Sequence, residues 1–254
     1  MVELKHNHLN FDLLYSMYTS AIKELEGSYR TFFFKEMPAS DETRIKLLSH
    51  LLGTSISEGL YILNYLHKVM LLEGDICEFG VAQGFTSALL AYEIQKTDKN
   101  IWLFDSFQGL PKPSSKDKLI DDFWNLGSIE AYEGTMACPV SMVKERLREI
   151  EFPYERVKII PGFIDKAICN PDNCPEKVCF AYVDFDFYEP ILIALNFLNK
   201  ALQNGGYIVV DDYGYFSAGA KTAVDEFFEV NKHDYNLICP IEAAGHFCIL
   251  EKKG

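Results

Sequence analysis

Between residues 75 and 212 the chain alternates short β-rich runs with helical patterns, and this alternation points to a parallel sheet with crossover helices. The runs are DICEFGV (75–81), IWLFD (101–105), RVKIIPG (156–162), KVCFAYVDFD (177–186) and GGYIVVDD (205–212). After the first, Phe85, Ala88, Leu89 and Tyr92 recur at i, i+3, i+4 and i+7, one stripe of a helix. After the fourth, Ile191, Leu195, Leu198 and Leu202 do the same, with Pro190 tolerated in the first turn. Ala220, Val224, Phe227 and Phe228 predict another helix over 217–230, and YNLICPI with GHFCILEKK supplies two last strands for an antiparallel pair. The expected fold is α/β: a doubly wound, seven-stranded, mostly parallel sheet of the Rossmann-like kind.

Two stretches stand outside that pattern. Residues 1–72 read as a helical extension, with Ile45, Leu48 and Leu52 on one stripe and Ile62, Leu66 and Val69 on another, leaving 73–254 as the main domain. Residues 106–137 form a polar insertion with aromatic islands at Phe123, Trp124 and Tyr132. Insertions of this length in compact domains serve as lids or binding loops, a surface loop without order being the plainer alternative.

A net charge of −13 argues against nucleic acid or an anionic membrane as partner, because both require a basic face. No run of about 18 apolar residues occurs, and the N-terminus lacks a basic start followed by an apolar core, so a cytoplasmic, unanchored protein is expected. Of seven cysteines, Cys169, Cys174 and Cys179 are spaced C-x4-C-x4-C rather than as C-x2-C pairs, which suits idle thiols better than zinc.

The first strand-to-helix turn, CEFGVAQGFTS, carries Gly80 and Gly84 but has Ala82 where a dinucleotide fingerprint places its middle glycine. Glu78 at the strand tip would repel a phosphate and suit a cation. S-adenosylmethionine, with its amino group and sulfonium, fits that turn better than NAD; its carboxylate would lie on the amides of the next helix with help from Thr86. Asp105, at the end of the second run, is placed to receive ribose hydroxyls. Gly80 serving only a tight turn is the simpler reading of that residue.

At the fourth and fifth runs, Asp184 and Asp186, then Asp211 and Asp212, crowd neighbouring strand ends. Carboxylates that close repel one another, and a divalent cation relieves them; hard oxygen ligands select magnesium. Asp186 shares a strand face with Asp184 and is placed to take a proton from a substrate hydroxyl. Helix capping by Asp186 and Asp212 is the alternative.

The motifs EFGVAQG, FDSFQGLPKP, VDFDFYEPILIALNFL and GGYIVVDDYG…GAKTAVDEFF together resemble the macrocin O-methyltransferase family, over roughly residues 73–230. The resemblance implies a class I methyltransferase fold, S-adenosylmethionine as cofactor with contacts at Glu78, Gly80 and Asp105, magnesium held by Asp184, Asp211 and Asp212, and Asp186 as general base. It also implies a sugar hydroxyl on a natural product as acceptor, and a homodimer or larger homo-oligomer. Where the family reads D-G-D, this chain has Phe185 between the acids. A catechol-type acceptor would use the same metal chemistry, and an NAD-dependent oxidoreductase is the reading from another class.

Overall fold

The computed structural model describes residues 2–254, with side chains from Asn10 onward. Its seven strands are β1 (Asp75–Phe79), β2 (Ile101–Asp105), β3 (Val157–Pro161), β4 (Val178–Val183), β5 (Leu202–Val210), β6 (Tyr235–Ile238) and β7 (Cys248–Lys252). They form one sheet in the order β3-β2-β1-β4-β5-β7-β6. β7 runs antiparallel to both of its neighbours, and the remaining pairings are parallel. The strand order reverses between β1 and β4, which opens a crevice at their carboxyl ends.

Among the described residues, eight α-helices accompany the sheet: α1 (Val2–Phe32), α2 (Glu42–Ser49), α3 (Ile56–Lys68), α4 (Phe85–Ile94), α5 (Val140–Glu149), α6 (Ile164–Ala167), α7 (Tyr188–Ala201) and α8 (Ala218–Asn231). β4, covered on both faces, reads VCFAYV with every residue buried, as a central parallel strand must. Its side chains alternate between two cores. Phe180 and Tyr182 join Leu48, Leu63, Leu66 and Leu89 on one face, while Ala181 and Val183 join Ile191, Leu195, Leu198 and Val224 on the other.

The first of these layers includes α2 and α3, so residues before 73 help to cover the sheet. A buried ion pair fastens them: the Arg44 guanidinium reaches Glu93 of α4 at 2.6 and 2.7 Å, and His67 meets the same carboxylate at 2.6 Å. α1 carries Phe11, Tyr18, Leu25 and Phe32 at seven-residue spacing, all exposed. No helix of the described residues is long and apolar enough to cross a membrane.

Two ends of the helical stripes fall differently from expectation. α2 stops at Ser49, so Leu52 lies in the following loop and is 64% exposed. Leu202 takes an extended conformation and begins β5 instead of ending α7. In both cases the apolar spacing continued past the point where the backbone turned. The 106–137 segment is ordered: Leu110, Ile129 and Tyr132 pack with Phe187 and Phe216 in a third small core.

Candidate active site

Strand register brings the acids together. Phe79 pairs with Phe104 on one side and with Val183 on the other, and Val183 pairs with Val210. Gly80, Asp105, Asp184 and Asp211 therefore leave the sheet side by side, at the floor of a cleft of about 1270 Å³. Glu78, Gly80, Thr86, Asp105, Asp184, Asp186, Asp211 and Asp212 all line it.

The backbone at Gly80 approaches its neighbour so closely that a Cβ would lie 1.7 Å from the Asp184 carbonyl oxygen, and its φ is +87°. Only glycine fits there. Gly84, at φ +79°, precedes α4 and leaves room for Val143 of α5, whose Cα would stand 3.1 Å from a Cβ. Between them Ala82 also has positive φ, at 43°. The turn is held by Asp105, whose Oδ2 accepts from the Val81 and Ala82 amides at 2.8 and 2.9 Å, while Oδ1 accepts from Phe107 at 2.6 Å. The carboxylate expected to meet a ribose thus shapes the loop beneath it.

Glu78 is 1% exposed and accepts a hydrogen bond from the Ser87 hydroxyl of α4. Burial pushes its carboxyl up to about 8, partly offset by the Ser87 bond. The free protein should consequently lose stability as pH rises. The unfolded chain releases this proton near 4.5 and the folded one holds it to about 8, so the contribution is complete below 4.5 and declines across that window. We expect the slope of unfolding free energy against pH in the free protein, at most about 1.4 kcal/mol per unit for this group, to flatten in Glu78→Gln. Equal slopes in urea titrations of the two proteins from pH 5 to 8 would refute that origin.

Carboxylate oxygens of Asp184, Asp186 and Asp212 lie within 4.8 Å of one another. Among the described residues, this is the one group of three or more His, Cys, Asp or Glu side chains so arranged; Cys169, Cys174 and Cys179 remain separate free thiols. Burial pushes all three acids well above the usual carboxylate range, followed by repulsion from Asp211 at Asp184 and Asp212 and from Asp184 at Asp186. Asp186 and Asp212 both occupy left-handed backbone, at φ 61° and 55°. At Asp186 the Phe187 amide bonds back to the Phe185 carbonyl at 2.5 Å, closing a γ-turn. Positive φ is uncommon outside glycine, and Asp is among the side chains that tolerate it.

Asp211, expected as a metal ligand with Asp184 and Asp212, stands beside this triad with its oxygens engaged. Oδ2 accepts from the Tyr182 hydroxyl at 2.9 Å and Oδ1 from the Asp212 amide at 2.7 Å. The hydroxyl of Tyr182 continues to Thr54 at 3.2 Å, and Thr54 to Thr86 at 3.1 Å. Thr86, expected to help bind a cofactor carboxylate, is therefore tied through three hydroxyls to Asp211. Phe185 packs edge-on against Phe79, with ring centroids 6.0 Å apart, and lines the cleft.

Glu58 of α3 escaped the sequence reading. It is 2% exposed, Asp211 is among the neighbouring acids that raise its carboxyl, and its Oε1 has no hydrogen-bond partner. Burial, then Asp211, pushes that carboxyl far up. The signal was present, since Glu58 falls four residues before Ile62 on the apolar stripe of that helix. A carboxylate on a core-facing stripe calls for an explanation.

A doubly wound sheet of this strand order, with the glycine turn and acid cluster at its switch point, is the class I methyltransferase fold. Residues 65–249 match the family model described as Macrocin-O-methyltransferase (TylF), and the chain belongs to that family. One relative, 8-demethyl-8-(2,3-dimethoxy-alpha-L-rhamnosyl)-tetracenomycin-C 4'-O-methyltransferase of Streptomyces olivaceus, is 26% identical over 55% of this chain and 53% of its own length. Another, Mycinamicin III 3''-O-methyltransferase of Micromonospora griseorubida, is 26% identical over 67% of this chain and 62% of its own. The chain thus spans less than two thirds of these relatives. In fold it is similar to the O-methyltransferase NovP, with a TM-score of 0.66, 21% identity, and coverage of 94% of this chain and 99% of that one.

Proposed function

We propose that this protein is an S-adenosylmethionine- and magnesium-dependent O-methyltransferase acting on a small-molecule hydroxyl, in particular a sugar hydroxyl of a glycosylated natural product. The observation that carries this reading is the convergence of Asp184, Asp186 and Asp212 beside the Gly80 turn. The names of the relatives, which speak of 4'-O and 3''-O methylation, support the acceptor class. Membership of the family does not favour a dinucleotide-dependent oxidoreductase, and Ala82 already weakened that reading.

The residues suit both magnesium and S-adenosylmethionine. The donors are all carboxylate oxygens, which favour a hard divalent cation. For the cofactor, the Gly80 turn lines the cleft with backbone, and Glu78 offers a carboxyl to a cationic ligand. When bound, magnesium supplies the positive charge that lets these acids ionise together and acidifies a nearby hydroxyl, and S-adenosylmethionine supplies the methyl group.

The chain's own residues then divide the work. Asp184, Asp211 and Asp212 would hold the ion, with Asp211 oriented by Tyr182 and the Asp212 amide. Asp186, fixed by its γ-turn, takes the acceptor's hydroxyl proton on a carboxylate oxygen as general base. Phe185, against Phe79, closes the cleft wall next to it and excludes water.

Calorimetric titration with S-adenosylhomocysteine and then with magnesium chloride, on wild type and Asp184→Ala, tests this. The cofactor product should bind both proteins within about threefold, while magnesium affinity falls about a hundredfold in the variant, as loss of one charged ligand implies. Binding of NADH in place of S-adenosylhomocysteine would end the proposal.

A further inference from the structure

Asp117, in the 106–137 segment, is 4% exposed and has no part in the chemistry above, yet both of its carboxylate oxygens are engaged. Oδ1 accepts from the Tyr188 amide at 2.8 Å and from the Ser217 hydroxyl at 3.1 Å. Ser217 in turn caps α8, accepting from the Gly219 amide at 3.0 Å. Oδ2 accepts from the amide and hydroxyl of Ser114, both at 2.7 Å. One side chain of the segment thus joins the N-termini of α7 and α8.

Those helices start just after the site acids. Asp186 lies two residues before Tyr188, and Asp212 five before Ser217. The left-handed conformations of Asp186 and Asp212 persist only where the surroundings over-determine them, and the Asp117 bonds supply that constraint one residue past the γ-turn. The first amides of a helix have no partner within it, so without Asp117 the Tyr188 donor is left to water or to none. Space for the carboxylate comes from Gly219, where a Cβ would stand 1.7 Å from Asp117 Oδ1. The adjoining chain follows: the Ala218 amide bonds to the Lys118 carbonyl at 2.9 Å and Ile120 to Phe216 at 2.7 Å.

We propose that Asp117 is a positioning residue: docked on the first turns of α7 and α8, it sets the backbone that carries Asp186 and Asp212, so that the two acids align only when the 106–137 segment is seated. This rests on reading those acids as the working acids of the site. The segment becomes a sensor of its own closure, because the carboxylate that fastens it also orders the acids below.

The test compares full-length Asp117→Ala, Asp117→Asn and Gly219→Ala with wild type by three readouts: hydrogen exchange of the 184–190 peptide, trypsin cleavage after Lys116 and Lys118, and Mn²⁺ affinity from its paramagnetic resonance signal. In both alanine variants, exchange at Tyr188 and cleavage in the segment should rise about ten- to a hundredfold, the range for losing a hydrogen bond to a charged group. Mn²⁺ affinity should fall about tenfold, as for outer partners of metal ligands, with exchange in β4 and α3 unchanged. Asp117→Asn keeps an acceptor for Tyr188 and should restore both exchange and Mn²⁺ affinity to within about threefold of wild type, as a retained hydrogen bond requires.

Unchanged exchange and affinity in the alanine variants, acceleration spread evenly through the protein, or failure of Asn to rescue would each overturn the assignment. If Asp117→Ala does not fold, Gly219→Ala displaces the same carboxylate with Asp117 still present. Absence of Mn²⁺ binding by wild type would instead refute the metal reading, and exchange with proteolysis would still decide the role of Asp117.

Discussion

Gly80→Ala should abolish measurable S-adenosylhomocysteine binding and cost the fold about 2–5 kcal/mol, combining overpacking of one methyl with a left-handed backbone at a residue bearing Cβ. The collision is with backbone, since the added carbon would meet the Asp184 carbonyl oxygen at 1.7 Å and its carbonyl carbon at 2.6 Å. No rotamer change can relieve it. Either the turn must leave the sheet or Asp184 must move, and the Asp184 amide is held by its hydrogen bond to the Phe79 carbonyl at 2.7 Å. Relaxation by either route disturbs the cofactor turn and the acid cluster together. Urea unfolding and calorimetry measure the two effects, and a variant that binds the cofactor product within twofold of wild type would show that the close approach is dispensable.

Asp186→Asn should lower the rate of methyl transfer about 10²- to 10⁴-fold, the usual contribution of a general base, while S-adenosylhomocysteine affinity stays within twofold. The amide has the size of the carboxylate and tolerates the same left-handed backbone, so the γ-turn survives and the lost function is proton acceptance. The assay follows S-adenosylhomocysteine release with a small-molecule hydroxyl acceptor, chosen by screening against wild type. Excess magnesium separates two roles: a residue needed only to hold the ion is rescued by more ion, and a base is not. Recovery of more than about half the wild-type rate at saturating magnesium, where binding no longer limits, would make Asp186 a ligand and leave the base to be found.

The glycine turn and the acids were legible because their chemistry conflicts with their surroundings. Apolar strands ending in carboxylates, such as Val183 before Asp184 and Val210 before Asp211, have few explanations other than a site at the sheet's carboxyl edge. Glu58 was legible in principle, as a charge on an apolar stripe. Asp117 carried no signal at all, since KPSSKDKL reads as ordinary polar loop. Its contacts exist only because the first amide of α7 and the Ser217 hydroxyl that caps α8 meet at the same carboxylate oxygen.

The sequence by itself determined a mostly parallel sheet with crossover helices and the stations of Glu78, Gly80, Asp105, Asp184 and Asp211 along the chain, because hydrophobic period and strand length are local properties of the chain. Tertiary structure decided the rest: which three carboxylates converge, that Asp211 turns to Tyr182 and Asp105 to the glycine loop, and that the loop ahead of α3 and the 106–137 segment reach the same cleft. The direction of a side chain at a strand end depends on its φ and on partners far away in sequence. At Asp186 and Asp212 both lie outside what local pattern encodes.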